Sequence, residues 1–316
     1  MLYLWQLGDD DPQLREESEF SQLLNQSGAV LWLDLEGLDP ESIADALPFL
    51  HPVTVQRFSA RSGRAFLDEF DDYLHILLHQ IYYTEAEEVG ADPCHFILGA
   101  NFLITVHANP IDSLLRFGSS APPARYFQHG SDLLFYFLAE PLLDQAFVIL
   151  DAIAERTEDV EDRIFPTPDQ TLLNDLFRLK KSLIALRKTL APIREVFSLL
   201  SRRENPFVDQ QALPFISHLY DQLIRLHEIG DSQREIVAGA LEIYLTTLSN
   251  RMNEVMKTLT IVSTIILPLT LIVGYYGMNF KHFAELGWDN GIPFVTGLML
   301  LVIAVMLWYF KRRHWL

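Results

Sequence analysis

Two stretches toward the end of the chain, Thr258 to Tyr276 and Gly291 to Phe310, contain no Asp, Glu, Lys, Arg or His. Each runs for about 19 to 20 residues, and at ~1.5 Å per residue a helix of that length crosses the ~30 Å hydrocarbon core of a bilayer. They are read as two membrane spans, and everything else must fold as a body attached to them. Up to about Asn253 charged and apolar residues mix as they do in soluble proteins. With 316 residues, the chain has room for a globular domain of roughly 200 to 250 residues and something smaller.

The flanks suggest how the spans are oriented. The start, "MLYLWQLGDDD", has no basic region ahead of its apolar residues and three acids after them, the wrong order for a secretory signal. The large N-terminal part is expected to stay on the side where it was made. Lys311, Arg312 and Arg313 follow the second span directly and mark a cytoplasmic flank. Two spans then put both ends in the cytoplasm.

With 42 acidic against 24 basic residues, the formal charge is -18, which argues against nucleic acid as a partner. The acid excess reads mainly as solubility of a large cytoplasmic domain, although an acidic surface also concentrates cations. One cysteine, Cys94, rules out an intrachain disulfide and a cysteine-based metal cluster; it is read as a small buried residue.

Changes of period divide the chain. Residues 1–130 are expected to form an α/β domain. "AVLWLDLEG", "DYLHILLHQIYY" and "CHFILGANFLITVH" are rich in branched and aromatic residues, and Gly99-Ala100-Asn101 supplies a turn inside the last. Asp39 and Glu41 open a short capped helix running toward a break at His51-Pro52. Residues 131–212 read as a helical region of two long amphipathic helices, separated at Phe165-Pro166-Thr167-Pro168, with Pro192 expected to kink or break the second. Residues 213–257 read as a stalk helix that starts at Pro214 and keeps its period straight into the first span, 258–276. A loop over 277–290, a second span over 291–310 and a basic tail over 311–316 complete the order. A helix of some 60 residues would be ~90 Å long and is expected to bundle with copies of itself.

On that helix Asn253, Met256, Leu259 or Thr260, Ser263, Leu267 and Thr270 recur at spacings of three and four. Such a mixed stripe suits tight helix packing, with Ser and Thr as interhelical glue. It equally suits a pore lining in which Met and Leu rings gate by dewetting. The sequence has no phosphate-binding glycine loop, nucleophile elbow or zinc-ligand pair on a helix, so an enzyme and an ATP-driven pump are disfavoured. His75 and His79 are four apart in an expected strand and read as ordinary half-buried histidines.

Between the two spans stands "GYYGMNF". "YGMNF" directly after a span, preceded by "MNEVMKTLTIVSTIILPLT" and followed by an acidic loop, a second span and "KRRHWL", resembles the CorA family of divalent-cation channels. Upstream the resemblance includes "WLDLEG", "LHPVTV", "FLITVH" and "ALRKTLAPIREVFSLL". It implies a homopentameric funnel in the prokaryotic inner membrane, each subunit an α/β cytoplasmic domain with a long stalk helix continuing into the first, pore-lining transmembrane helix. It also implies passive influx of Mg2+, with Co2+ and Ni2+ accepted, and no cofactor. Carried over residue by residue, the selectivity filter falls on Gly277, Met278 and Asn279, and the pore-facing positions on Asn253, Met256, Leu259, Ser263, Leu267 and Thr270. That favours the pore reading of the stripe. An Asn279 ring could hold a hydrated ion through its waters, while Glu285 and Asp289 in the loop supply an attracting field.

Two departures stand out. Where the family commonly has Met-Pro-Glu-Leu, this chain has Phe283-Ala284-Glu285-Leu286. Members that sense cytoplasmic Mg2+ commonly carry an acidic pair after the His-Pro element; Gln56 and Arg57 stand there, and His218 replaces an acid one turn before Asp221. Mg2+-driven closure is therefore expected to be weakened, with His218 and Asp221 as the remaining regulatory candidates. The runner-up is a zinc-transporting relative of the same fold, with or without proton coupling; Phe280 and Glu285 count against it. A membrane-anchored scaffold or sensor without transport is a third reading, and it would predict a disrupted Gly-Met-Asn segment or charges in the stripe.

Overall fold

Two compact units divide the chain: residues 1–163 with 169–241, and residues 164–168 with 242–316. The computed structural model describes residues 2–7, 12–15, 24, 30–37, 39–59, 63–84, 88–111, 114, 126–127, 130–164, 169–202, 205–278 and 290–315. In the first unit, β1 (Leu2–Leu7), β2 (Pro12–Arg15), β3 (Leu31–Glu36), β4 (Phe66–Glu69), β5 (Tyr73–Tyr83), β6 (Val89–Gly99) and β7 (Phe102–His107) form one sheet. Its order is β2-β1-β3-β7-β6-β5-β4. β3 and β7 pair in parallel, Leu33 opposite Ile104, and the other pairs are antiparallel.

The central strands are buried along nearly their whole length because both faces are covered. Leu31, Leu33 and Leu35 meet Ile97, Ile104, Val106 and the helix residues Ile43 and Leu47 on one side. That side carries α1 (Pro40–Ala46) and α2 (Pro52–Phe58). Asp39 caps α1 by accepting from the Ser42 amide at 2.8 Å. His51 caps α2, its Nδ1 accepting from the Val53 amide at 3.2 Å, so His51-Pro52 opens a helix where the sequence suggested a break. Pro at the first helical position has no amide to lose there.

The opposite face receives α3 (Ser131–Ile164) and α4 (Gln170–Arg202). Phe96 of β6 meets Phe135 edge-on at 5.2 Å, and Phe135 stacks on Phe197 of α4 at 6.1 Å. Of the kink or break expected at Pro192, the break is absent: α4 continues through it as one helix. A proline inside a helix forfeits a backbone bond and costs ~3 kcal/mol. The buried neighbours Leu190, Ile193, Val196 and Phe197 hold the segment helical against that cost. Ser131 and Asp132 anchor the start of α3: the Ser131 hydroxyl donates to the Gly99 carbonyl at 2.6 Å, and Asp132 accepts from the amides of Leu133 and Asp209, both at 2.8 Å.

The long helix α5 runs without interruption over Leu213–Tyr276. In the first unit it buries Ile216, Leu219, Leu223 and Leu226, spaced at three and four as one packed face requires. In the second unit α5 is accompanied by α6 (Gly291–Arg312). Among the described residues three helices are long and apolar enough to cross a membrane: α3, α5 and α6. In the most apolar 18-residue window of α3, 61% is buried, against 6% in α5 and 0% in α6, so α3 spends its apolar surface on the core and two unspent apolar helices remain.

Candidate functional site

The stripe on α5 survives as one surface. At ~100° per residue Asn253, Met256, Leu259, Ser263, Leu267 and Thr270 fall within about 120° of the helix circumference. All six are exposed, Met256 by 55%, Leu259 by 58% and Leu267 by 70%. The covered side carries Lys257, Ile261, Thr264, Ile265, Pro268, Leu269 and Ile272, centred about 150° away. Within the two apolar runs, Ile261 on α5 and Phe310 on α6 are the buried residues, and Lys257 Nζ donates to the His314 carbonyl at 3.2 Å. Between these two sides lies a third, on which Val255, Val262, Ile266 and Val273 are exposed and wholly apolar.

Two hydroxyls of the stripe, those of Thr260 and Thr270, bond within the helix. Thr270 donates to the Ile266 carbonyl at 3.0 Å and Thr260 to the Met256 carbonyl at 2.7 Å, the back-bonding that Ser and Thr use inside helices. A groove runs along the last turns, lined by Ser263, Leu267, Thr270, Gly274 and Met278 among others. Gly274 lies inside the helix, and the helix ends at Gly277, whose amide still bonds to the Val273 carbonyl at 2.9 Å. A Cβ on Gly277 would come 3.0 Å from that carbonyl oxygen, so glycine fits this end closely. Asn279, Phe280, Lys281, Glu285 and Asp289 lie outside the described residues.

A polar-and-apolar stripe thus runs along a membrane-length helix that ends at Gly277-Met278. The family model of CorA-like Mg2+ transporter proteins matches residues 27–312. The chain belongs to that family. It is 30% identical over 300 residues to the Thermotoga maritima cobalt/magnesium transport protein CorA, covering 92% of this chain and 84% of that one. The complete structure of the CorA magnesium transporter from Methanocaldococcus jannaschii superposes with a TM-score of 0.85 at 21% identity, covering 100% of this chain and 99% of that one. The cytoplasmic domain of ZntB from Vibrio parahaemolyticus gives a TM-score of 0.62 at 15% identity over 78% of this chain and 98% of that domain; at such identities both structures show shared fold.

In CorA relatives that sense Mg2+, the resemblance placed acids where Gln56 and Arg57 stand. Here Arg57 pairs with Asp68 at 3.0 Å and lies 4.1 Å over the Phe66 ring, so a cation is already committed at that position. His218 and Asp221 are both exposed on α5. His218 Nε2 lies 3.3 Å from the Gln222 amide nitrogen. On α3, Asp144 is raised above the usual carboxylate range by burial and by Glu140, with His218 opposing.

The structure also shows buried polar chemistry that the sequence reading did not find. The Asp34 carboxylate accepts from the Thr105 hydroxyl and from His107 Nε2, the latter at 3.1 Å, and Trp32 Nε1 donates to the Thr105 oxygen at 3.1 Å. The alternating register of β3 and β7 places these residues on one face, a signal visible only once the two strands are known to pair. His75 and His79 are more deeply buried than expected, 0% and 7% exposed. His75 Nε2 meets His95 Nδ1 at 2.9 Å. Burial first, then the neighbouring cationic groups, push the pKa of His75 down to about 2 and of His95 to about 4, so the pair is neutral at ordinary pH. Among the described residues no group of three or more His, Cys, Asp or Glu is placed to hold a metal ion.

Proposed function

We propose that the chain is the subunit of a homopentameric channel for passive influx of divalent cations, with Mg2+ the principal ion and Co2+ and Ni2+ also carried. The carrying observation is the stripe from Asn253 to Thr270, exposed on the side of α5 away from its covered face. Five copies around an axis would turn it into a lining, and the apolar side bearing Val255, Val262, Ile266 and Val273 would seat the neighbouring helix. Lower on α5, Ile236, Ile243, Leu245, Leu248 and Met252 are 38 to 62% exposed, which favours association with other subunits. The names of the relatives, cobalt/magnesium transport protein and magnesium transporter, agree.

The lining is neutral throughout. Mg2+ gives up its waters reluctantly, so a neutral path passes the hydrated ion by accepting hydrogen bonds from its shell and holds it weakly enough to release it. Gly277, Met278 and Asn279 form the filter at the mouth, with Glu285 and Asp289 as the attracting loop acids. The drive is the membrane potential, ~4.6 kcal/mol for a divalent ion at 100 mV. The membrane is the prokaryotic inner membrane, with both termini cytoplasmic.

Flux into liposomes containing the full-length protein, compared for Mg2+, Co2+, Ni2+ and Zn2+ with and without a pH gradient, tests the reading. Mg2+ uptake that is independent of the pH gradient and lost in N279A is expected. Zn2+ uptake that requires the gradient would favour the zinc-transporting alternative, to which the committed Arg57 lends some support.

A further inference from the structure

The residues after the second span fold back on themselves. Trp315 donates its amide to the Phe310 carbonyl at 3.0 Å and His314 to the Lys311 carbonyl at 3.2 Å, the paired bonds of a Schellman motif. His314 takes the left-handed conformation that the motif needs, with φ 56°. The accompanying apolar contact is a stack of Trp315 on Phe310 at 5.8 Å. Lys257 of α5 donates to the His314 carbonyl and so fastens this turn to the start of the first apolar run.

Four cations therefore converge on one end of the membrane unit: Lys257, Lys311, Arg312 and Arg313. None of them pairs with a carboxylate among the described residues. Beside them lie Trp308 and Tyr309 on α6 and Trp315 in the turn, exposed by 61%, 49% and 41%. Arg312 lies 5.4 Å from the Trp308 ring centroid and Arg313 6.0 Å from that of Tyr309. Amphipathic rings of this kind sit at headgroup depth, and unpaired cations beside a span attract anionic lipid. A free inorganic anion would leave the aromatic belt uncontacted, whereas a lipid covers it with its glycerol and acyl portion.

We propose that this turn is a binding site for an anionic phospholipid, with Arg312, Arg313 and Lys257 around the headgroup phosphate and Trp308 and Trp315 against the glycerol and upper acyl chain. The site is independent of which ion the channel carries. It fixes α6 and the foot of α5 to one leaflet through the lipid they share.

Native mass spectrometry of the full-length oligomer in mild detergent, titrated with phosphatidylglycerol, phosphatidylcholine or inorganic phosphate, tests it. The wild-type protein should retain phosphatidylglycerol preferentially. R312Q/R313Q should weaken that binding by roughly 30-fold, the value of two cations near an anionic surface, with the oligomer mass and phosphatidylcholine retention unchanged. If the double variant does not assemble, R313Q carries the same test at roughly fivefold. Equal retention of the two lipids by the wild type, an unchanged preference in the variants, or displacement of phosphatidylglycerol by inorganic phosphate at equal concentration would each overturn the proposal.

Discussion

Removing the Asp34 carboxylate should be among the costliest single changes in the first unit. The side chains of Asp34 and His107 are each 1% exposed. Burial pushes the His107 pKa down, but the Asp34 carboxylate and the Asn109 carbonyl, 2.7 Å from Nδ1, more than offset it and leave the pKa above its ordinary value. Asp34→Ala removes that offset, so the buried His107 ring must give up its proton to stay folded, and the Thr105 hydroxyl loses its acceptor. Breaking one side of a buried pair costs ~3–5 kcal/mol. In a unit of ~150–250 residues each kcal/mol lowers Tm by ~2–4 °C, so the midpoint should fall by ~6–20 °C. The pH dependence follows from the raised folded pKa. The pair's contribution is complete below the unfolded value of ~6.5 and is lost as pH rises through the higher folded value. The gap between wild type and variant should therefore be widest at pH 6 and narrower at pH 9. Thermal unfolding of the full-length protein in detergent, followed by circular dichroism at both pH values, measures this. A shift under ~2 °C at pH 6, or a gap that does not change with pH, would refute the argument.

Three further outcomes test the channel reading. L259S or M256S should raise cation leak by at least about tenfold in liposome flux, since a polar side chain wets a hydrophobic constriction. H218A/D221A should leave any inhibition by Mg2+ unchanged in electrophysiological recordings; full Mg2+ closure abolished by the pair would restore a Mg2+ sensor at these two residues. G277A, whose new methyl would crowd the Val273 carbonyl at 3.0 Å, should reduce Mg2+ uptake several-fold with the oligomer still intact by size-exclusion chromatography.

The membrane helices were the most legible part of the sequence because their signal is local: an absence of charge over a fixed length. The strands around Trp32, Leu77 and Ile104 were legible from their branched and aromatic runs. What stayed hidden depends on partners distant in sequence. Leu2–Leu7 and Pro12–Arg15 become strands by pairing with each other and, for the first, with β3. Pro192 looks like a break when α4 is read alone; its apolar neighbours, buried in the packed unit, override it. Asp34 and Thr105 read as ordinary polar interruptions of apolar strands until the parallel register puts them opposite each other. The stripe on α5 showed its period in sequence, but not which side would be left uncovered. That follows from the packing on the opposite face, with Ile261 buried and Leu267 70% exposed.

The local hydrogen bonding also bears on why a lining of threonine, serine and asparagine suits a cation. A hydroxyl free to rotate can turn its hydrogen outward and repel a positive ion's water shell, whose hydrogens already point away from the metal. On α5 that option is closed at Thr258, Thr260 and Thr270, because each hydroxyl hydrogen is spent on the carbonyl four residues earlier, at 3.0, 2.7 and 3.0 Å. What Thr270 then presents to the stripe is lone pairs alone. In the proposed channel this makes Thr270 an acceptor, complementary to the outer hydrogens of a hydrated divalent ion and unsuited to a hydrated anion. Carboxylates would also accept, but they would bind the ion strongly enough to slow its departure. Replacing Thr270 by valine, which keeps the shape and removes the acceptor, should therefore reduce Mg2+ flux without increasing leak, and a variant that conducted normally would show that the hydroxyl oxygens do not contribute to passage.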